Sequence, residues 1–312
     1  MIKILKHRKK MNKKGIFFTI LAIALLSLFV VSYSVYSFAQ NREGIGKRIK
    51  TMNSYVSSLE EDIPRKLYIT GYRIIFLFNQ RIIDSGSYIA DVNTSFSEAF
   101  FNGTIDDIDY RNDNLRYLDE ATFPDIVEKI NNVADSLNLN VTFINPKASI
   151  SQEDPWHVKV TLESNLIIKD RGNLALWNKT SVLSAYIPIT NFEDPLYTKN
   201  TNATVVNKFN QTIYPVPISA DNIVNHATNS YYINHTDAPS FLQRFEGDLT
   251  ADPNGIESLI NPYELAQQGI SVKDRCIIDY LYFSQSGCGV QQTYSGWIKI
   301  DQGHMGIYGA AA

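Results

Sequence analysis

Few side chains in this sequence have the types and spacing that chemistry needs. His226, His235 and Asp237 offer two imidazoles and a carboxylate in one short stretch, a donor set suited to a transition metal. Their spacing, His-x8-His-x-Asp, has no recognised mechanical reason, and they read as polar loop residues. Asp106, Asp107 and Asp109 place oxygen ligands close together, as calcium requires. That run lacks the glycine and the distal glutamate of an EF-hand loop and reads as a solvated acidic loop. Serine precedes glycine at Ser85-Gly86, Ser286-Gly287 and Ser295-Gly296, never inside the G-x-S-x-G elbow of a hydrolase. No phosphate-binding or dinucleotide-binding glycine pattern occurs. The expectation is no catalytic residue, no metal ligand and no cofactor. An extracytoplasmic enzyme is a minor alternative.

The two cysteines, Cys276 and Cys288, are the remaining reactive pair. In an oxidising compartment they would close a short loop as a disulfide, stabilising by roughly 3 kcal/mol in the chain-entropy account. A metal pair is the weaker alternative, because two thiols lack further ligands nearby.

Whether the compartment is oxidising depends on the element that delivers the chain. Ile16 to Ala39 holds 24 residues without a charge. As a helix it runs about 36 Å, enough to cross a hydrocarbon core of about 30 Å. Ahead of it lie Lys3, Lys6, Arg8, Lys9, Lys10, Lys13 and Lys14 with no acid, whereas the far flank is mixed. The positive-inside rule then keeps the N-terminus cytoplasmic and the bulk of the chain outside, in a single-pass arrangement. Without that leader the chain retains 22 basic against 32 acidic residues, a net charge of −10, and no Lys/Arg cluster follows residue 50. A nucleic-acid partner is excluded on this footing.

Lys13-Lys14-Gly15, followed by Ile16-Phe17-Phe18 opening the apolar helix, resembles the class III signal of archaeal type IV pilins and archaellins. The resemblance implies cleavage by a prepilin-type peptidase between Gly15 and Ile16, with the apolar helix kept as anchor and assembly core. Met11 would give a short leader, MNKKG. No glutamate stands at the fifth mature position, here Ile20, which departs from the bacterial pattern. A secretory signal cut near Ser37-Phe38-Ala39 and an uncleaved anchor are the competing fates.

Seven N-x-S/T acceptors, at Asn93, Asn102, Asn140, Asn178, Asn202, Asn210 and Asn234, all fall on the expected outer side.

Ile45, Ile49, Met52, Val56, Leu59 and Ile63 recur at heptad spacing, so the helix is expected to continue from Ile16 to about Asp62 and to bury this stripe against its own head. Pro64 is expected to start a second, buried helix over Arg65 to Ile83, with a strand over Ile74 to Phe78 as the alternative. A short helix around Thr94 to Phe101 ends at Asn102-Gly103, residues 106–119 read as a loop, and an amphipathic helix spans Pro124 to Leu137 with Thr122 as N-cap. The period then changes to two, predicting strands at Asn140 to Ile144, Trp156 to Ile168 and Leu174 to Ile189, the last two joined by Asp170-Arg171-Gly172-Asn173. Beyond Phe192-Glu193-Asp194-Pro195, short helices are expected at Ala220 to Thr228, Ser240 to Phe245 and Pro262 to Gln268, and strands at Cys276 to Phe283 and Tyr294 to Ile300.

The expected fold class is α+β: a long transmembrane and stalk helix, then a pilin-like head of one helix and an antiparallel meander, then a C-terminal extension. In numbers this is a leader at 1–15, anchor and stalk at 16–82, head at 83–197 and extension or small second domain at 198–312. The expected function is a membrane-anchored surface protein, a pilin-like subunit or adhesin-type component. Its partners would be membrane lipid, the peptidase, and itself or other pilin-like subunits. The alternative is an uncleaved single-pass ectodomain that binds a partner without polymerising.

Overall fold

A computed structural model describes residues 13–111, 116–285, 287–289 and 291–309. The leader through residue 12, Met11 included, lies outside the described residues, as do Ser286 and part of the acidic loop.

Helix α1 (Lys13–Ser85) is continuous over 73 residues, about 110 Å at 1.5 Å per residue. Its first half is apolar and bare, with Phe17, Leu26, Phe29 and Tyr33 all at least 65% exposed. It is the one described helix long and apolar enough to cross a membrane. Ile45 and Ile49 remain exposed, whereas Met52, Val56, Leu59 and Ile63 are buried in the chain's own core. Pro64 does not divide the helix as expected. The stripe runs on through Leu67, Ile74, Leu77 and Phe78, all fully buried, and that continuous burial outweighs the roughly 3 kcal/mol an internal proline costs.

Helix α2 (Val92–Asn102) is capped by the Asp91 side chain, which accepts from Thr94 N at 2.6 Å, and is closed by Gly103 in the left-handed region. The acidic run that follows is a tight hairpin rather than an open loop. Strands β1 (Thr104–Ile105) and β2 (Ile108–Asp109) pair across Asp106 and Asp107, both at positive φ. Helix α3 (Phe123–Ser136) starts where expected, with Thr122 N donating to Asp125 at 2.9 Å.

Strands β3 (Leu139–Asp154), β4 (His157–Asp170) and β5 (Leu176–Pro188) form the antiparallel meander. The strict alternation along β4 turns Val158, Val160, Leu162, Leu166 and Ile168 inward. Helix α1 packs on β4 and β5, and at Gly71 a Cβ would approach Val160 and Ile187 to 2.7 Å. Arg48 ties the lower stalk to the sheet through Asp170 and, at 3.0 Å, the Asn138 carbonyl.

The remainder is built from short pieces. Helix α4 (Pro195–Asn200) is capped by Asp194, and helix α5 (Ala220–Thr228) follows a long irregular stretch. Strand β6 (Tyr232–Asn234), helix α6 (Phe241–Glu246) and strand β7 (Ile256–Ser258) come next, then helix α7 (Pro262–Gln267). Residues 276–283, expected as a strand, hold helix α8 (Asp279–Phe283), with an isolated bridge between Leu259 and Ile278 before it. Residues 294–300, also expected as a strand, are split by a turn at Gly296-Trp297 into strands β8 (Gln291–Ser295) and β9 (Ile298–Asp301). Gly296, at φ 53°, permits that turn.

Two apolar cores result. The first joins α1, α2, α3 and the meander, and also takes Phe209, Tyr232, Phe241, Phe245 and Ile256 from beyond the meander. The second gathers α4, α5, α7, α8 and β9, with Leu196, Ile223, Leu265, Tyr282 and Ile300 buried in it.

Candidate functional site

The strand pair β6–β7 places charge on both of its faces, at the junction of the two cores. Side chains alternate along a strand, so Glu257 points opposite to Ile256 and Ser258. Two buried ionic clusters follow from that alternation.

On the Ser258 side lies Arg244, from α6, with no exposed surface. Its Nη1 donates to Asp194 Oδ2 at 2.7 Å and to Asp279 Oδ2 at 2.9 Å, and its Nη2 donates to the Ile256 carbonyl. The Tyr232 hydroxyl also donates to Asp194 Oδ2 at 2.7 Å, Asn207 Nδ2 donates to that hydroxyl at 2.8 Å, and Ser258 donates to Asp279 at 3.0 Å. Burial pushes the Asp279 carboxyl up to about 6 despite the neighbouring guanidinium. Burial opposes the charge on Arg244, but Asp194 and Asp279 outweigh it and raise its pKa further. A buried pair costs desolvation that only complete hydrogen bonding returns, and here the carboxylate oxygens of Asp194 and Asp279 all have partners while Arg244 Nε has none.

On the Glu257 side, three ligating atoms converge. His235 Nδ1 lies 2.8 Å and His304 Nε2 3.2 Å from Glu257 Oε2. His235 follows β6 directly, with its N–H donating to the Gly255 carbonyl at 2.9 Å. A Cβ at Gly255 would collide with the carbonyl oxygens of His235 and Ala238, so only glycine lets this loop close on β7. His304 sits in the turn after β9, where Asp301 Oδ2 holds its Nδ1 at 2.7 Å. The Tyr308 hydroxyl donates to Glu257 Oε1 at 2.9 Å, and the Tyr280 hydroxyl stands 3.2 Å from His304 Nε2.

Burial would raise the Glu257 carboxyl, but the bonds from His235 and His304 hold it down at about 2. Burial likewise opposes charge on His304, yet bonds to Asp301 and Glu257 push it up to about 10. Asp301 is lowered by the same bond, against its own burial. Glu257 is fully buried and His304 nearly so, while His235 keeps 14% of its side chain exposed.

Of the residues singled out by sequence, only His235 belongs to this group. Asp237 lies beside it at the surface, its Oδ2 3.8 Å from His235 Nε2. His226 is fully buried in α5 against the rings of Tyr231 and Tyr308, with neither ring nitrogen hydrogen-bonded. Asp106 pairs with Arg81 at 2.8 Å, and Asp109 accepts from the Arg111 N–H at 2.8 Å. Glu257, Asp301, His304 and Tyr308 carried one local signal, the Asp301-x-x-His304 spacing of a turn. Nothing local joins that turn to β7.

Cys276 and Cys288 are bonded to each other, with Cα atoms 6.0 Å apart. All seven acceptor asparagines are exposed, Asn93 and Asn102 on α2, Asn140 on β3, Asn178 on β5, Asn234 on β6, and Asn202 and Asn210 in the stretch before α5. Lys13, Lys14, Gly15 and Ile16 open α1, and the surface around Gly15 and Ile16 is bare.

Fold and site together define an α+β protein whose head is carried on one long N-terminal helix and encloses two buried ionic clusters. No protein-family model, no curated protein and no solved structure matches the chain.

Proposed function

We propose that the chain is a membrane-anchored extracellular surface protein, a pilin-like subunit or adhesin-type component of a cell-surface assembly. The observation that carries this reading is α1 itself. One helix holds a charge-free span of 24 residues with a purely basic flank, and then continues into the head as a core element. An anchor fused in this way to its head transmits position rigidly and leaves the lower helix free for lipid or for neighbouring subunits. The basic flank supports an N-terminus inside and a head outside. A disulfide suits an oxidising compartment, and seven exposed acceptors suit a glycosylated surface. The partners in this reading are membrane lipid, a prepilin-type peptidase acting at Gly15, and further pilin-like subunits or copies of the chain.

Mass spectrometry of the membrane-extracted protein tests it. The expected mature chain begins at Ile16 and retains the apolar helix. A chain beginning at Met1 or Met11 would assign the uncleaved single-pass reading instead, and one beginning at Gln40 would mean removal of the anchor by signal peptidase.

A further inference from the structure

We propose that His235, Glu257 and His304 bind a divalent transition-metal ion, with zinc the ion whose ligand chemistry they fit. The site is independent of how the chain is anchored or processed.

Each of the three residues has one ligating atom aimed at a common point and its other polar atom directed elsewhere. Glu257 Oε1 is taken by the Tyr308 hydroxyl at 2.9 Å, leaving Oε2 to the centre. His304 Nδ1 is held by Asp301 at 2.7 Å, which presents Nε2. His235 presents Nδ1, while its Nε2 faces Asp237 across 3.8 Å at the surface. A histidine ligand oriented by a carboxylate on its other nitrogen is the usual arrangement at a metal. The three ligating atoms lie within 4.8 Å of one another. Zinc bonds of about 2.0–2.1 Å set tetrahedral ligand atoms about 3.3 Å apart. The observed contacts to Glu257 Oε2, 2.8 and 3.2 Å, need to open by only a few tenths of an ångström.

Charge points the same way. Glu257 and Asp301 place two carboxylates at a buried site, and a divalent cation that displaces the proton held between His304 and these carboxylates keeps them balanced. Two histidines and one glutamate also form a set that binds zinc with a fourth position open. The Tyr280 hydroxyl, 3.2 Å from His304 Nε2, borders that position. Access runs past His235, the most exposed of the three ligands. Since Cys276 and Cys288 are bonded to each other, thiolates do not compete. The ion would fasten three segments distant in sequence: the loop after β6, strand β7 and the turn after β9.

The test uses the full chain in detergent, stripped by a chelator, equilibrated with zinc, and analysed for bound metal and for Tm. One zinc per chain is expected, with Tm raised by zinc and unmoved by magnesium. His235→Ala, at the exposed edge, should weaken binding by at least 100-fold. Asp301→Asn, which only orients His304, should weaken it by about 10- to 100-fold. His157→Ala removes the exposed histidine that pairs with Asp154 and should change nothing. Cobalt(II) should give the strong visible absorption of a tetrahedral site. A wild-type chain that holds no zinc, or whose Tm ignores it, overturns the proposal, as does binding lost in His157→Ala or undiminished in His235→Ala. Should His235→Ala not fold, the metal content and Tm of the wild-type chain decide alone.

Discussion

His226 shows how one side chain can set the response of the fold to acid. It is fully buried against Tyr231 and Tyr308, and neither ring nitrogen finds a partner. Burial pulls its pKa down to about 4, against a small opposing pull from Glu257. The unfolded chain, with an ordinary histidine near 6.5, binds the proton more readily than the folded one. Stability from the neutral ring is therefore complete above pH 6.5 and lost as pH falls toward 4. Between pH 7 and pH 5 the loss should be about 2 kcal/mol. Denaturation of wild type and His226→Phe at both pH values checks it, because the variant should lose less over the same interval by that amount. Equal losses would mean that His226 is solvated or protonated in the fold. Sequence gave no hint of this burial, since an imidazole near His235 and Asp237 reads as a loop ligand. Only the third dimension separates His226 from those neighbours and brings Glu257 and His304 to His235.

At the scale of elements, the stalk is where sequence and structure agree most closely. The heptad stripe is legible because every inward position from Met52 to Ile63 is apolar, and four of its six members are buried. The stripe does not say where burial starts, and Ile45 and Ile49 stay exposed. Val56→Asp should therefore cost several kcal/mol, since an unpaired carboxylate enters an apolar core. Ile49→Asp, two turns lower, should leave the Tm of the full chain in detergent within a degree or two of wild type. Comparable losses from the two would show that the whole stripe is covered. Pro64 misled the reading of boundaries because a proline is a local signal, whereas the helix is held by long-range contacts such as Gly71 on Val160. The run Cys276-Ile277-Ile278 misled it differently. A short apolar, β-branched run has no period to distinguish strand from helix, and Asp279 starts a single helical turn immediately after it.

At the scale of the molecule, the two cores meet across the ion cluster around Arg244. Helix α6, which carries Arg244, buries Phe241 and Phe245 in the first core, whereas Asp279 heads α8 in the second. Asp194 caps α4, whose Leu196 and Tyr197 also belong to the second core. Tyr88 packs on both. The guanidinium therefore ties α4, α6 and α8 together where the cores meet, beside the apolar contact of Tyr88, and unfolding of the wild type should be one cooperative transition. Arg244→Met keeps much of the volume but leaves two buried carboxylates facing each other without a cation. Breaking a buried pair by removing one partner typically costs about 3–5 kcal/mol. Here the Ile256 carbonyl loses its donor as well. Calorimetry of the full chain in detergent should show the variant melting earlier and in two steps, because the second core no longer shares its charges with α6. The double variant Arg244→Met with Asp279→Asn should recover part of the loss, as one of the two uncompensated charges is gone. A single transition within about 1 kcal/mol of wild type would mean that the cores are joined by packing and that Arg244 is dispensable to their union.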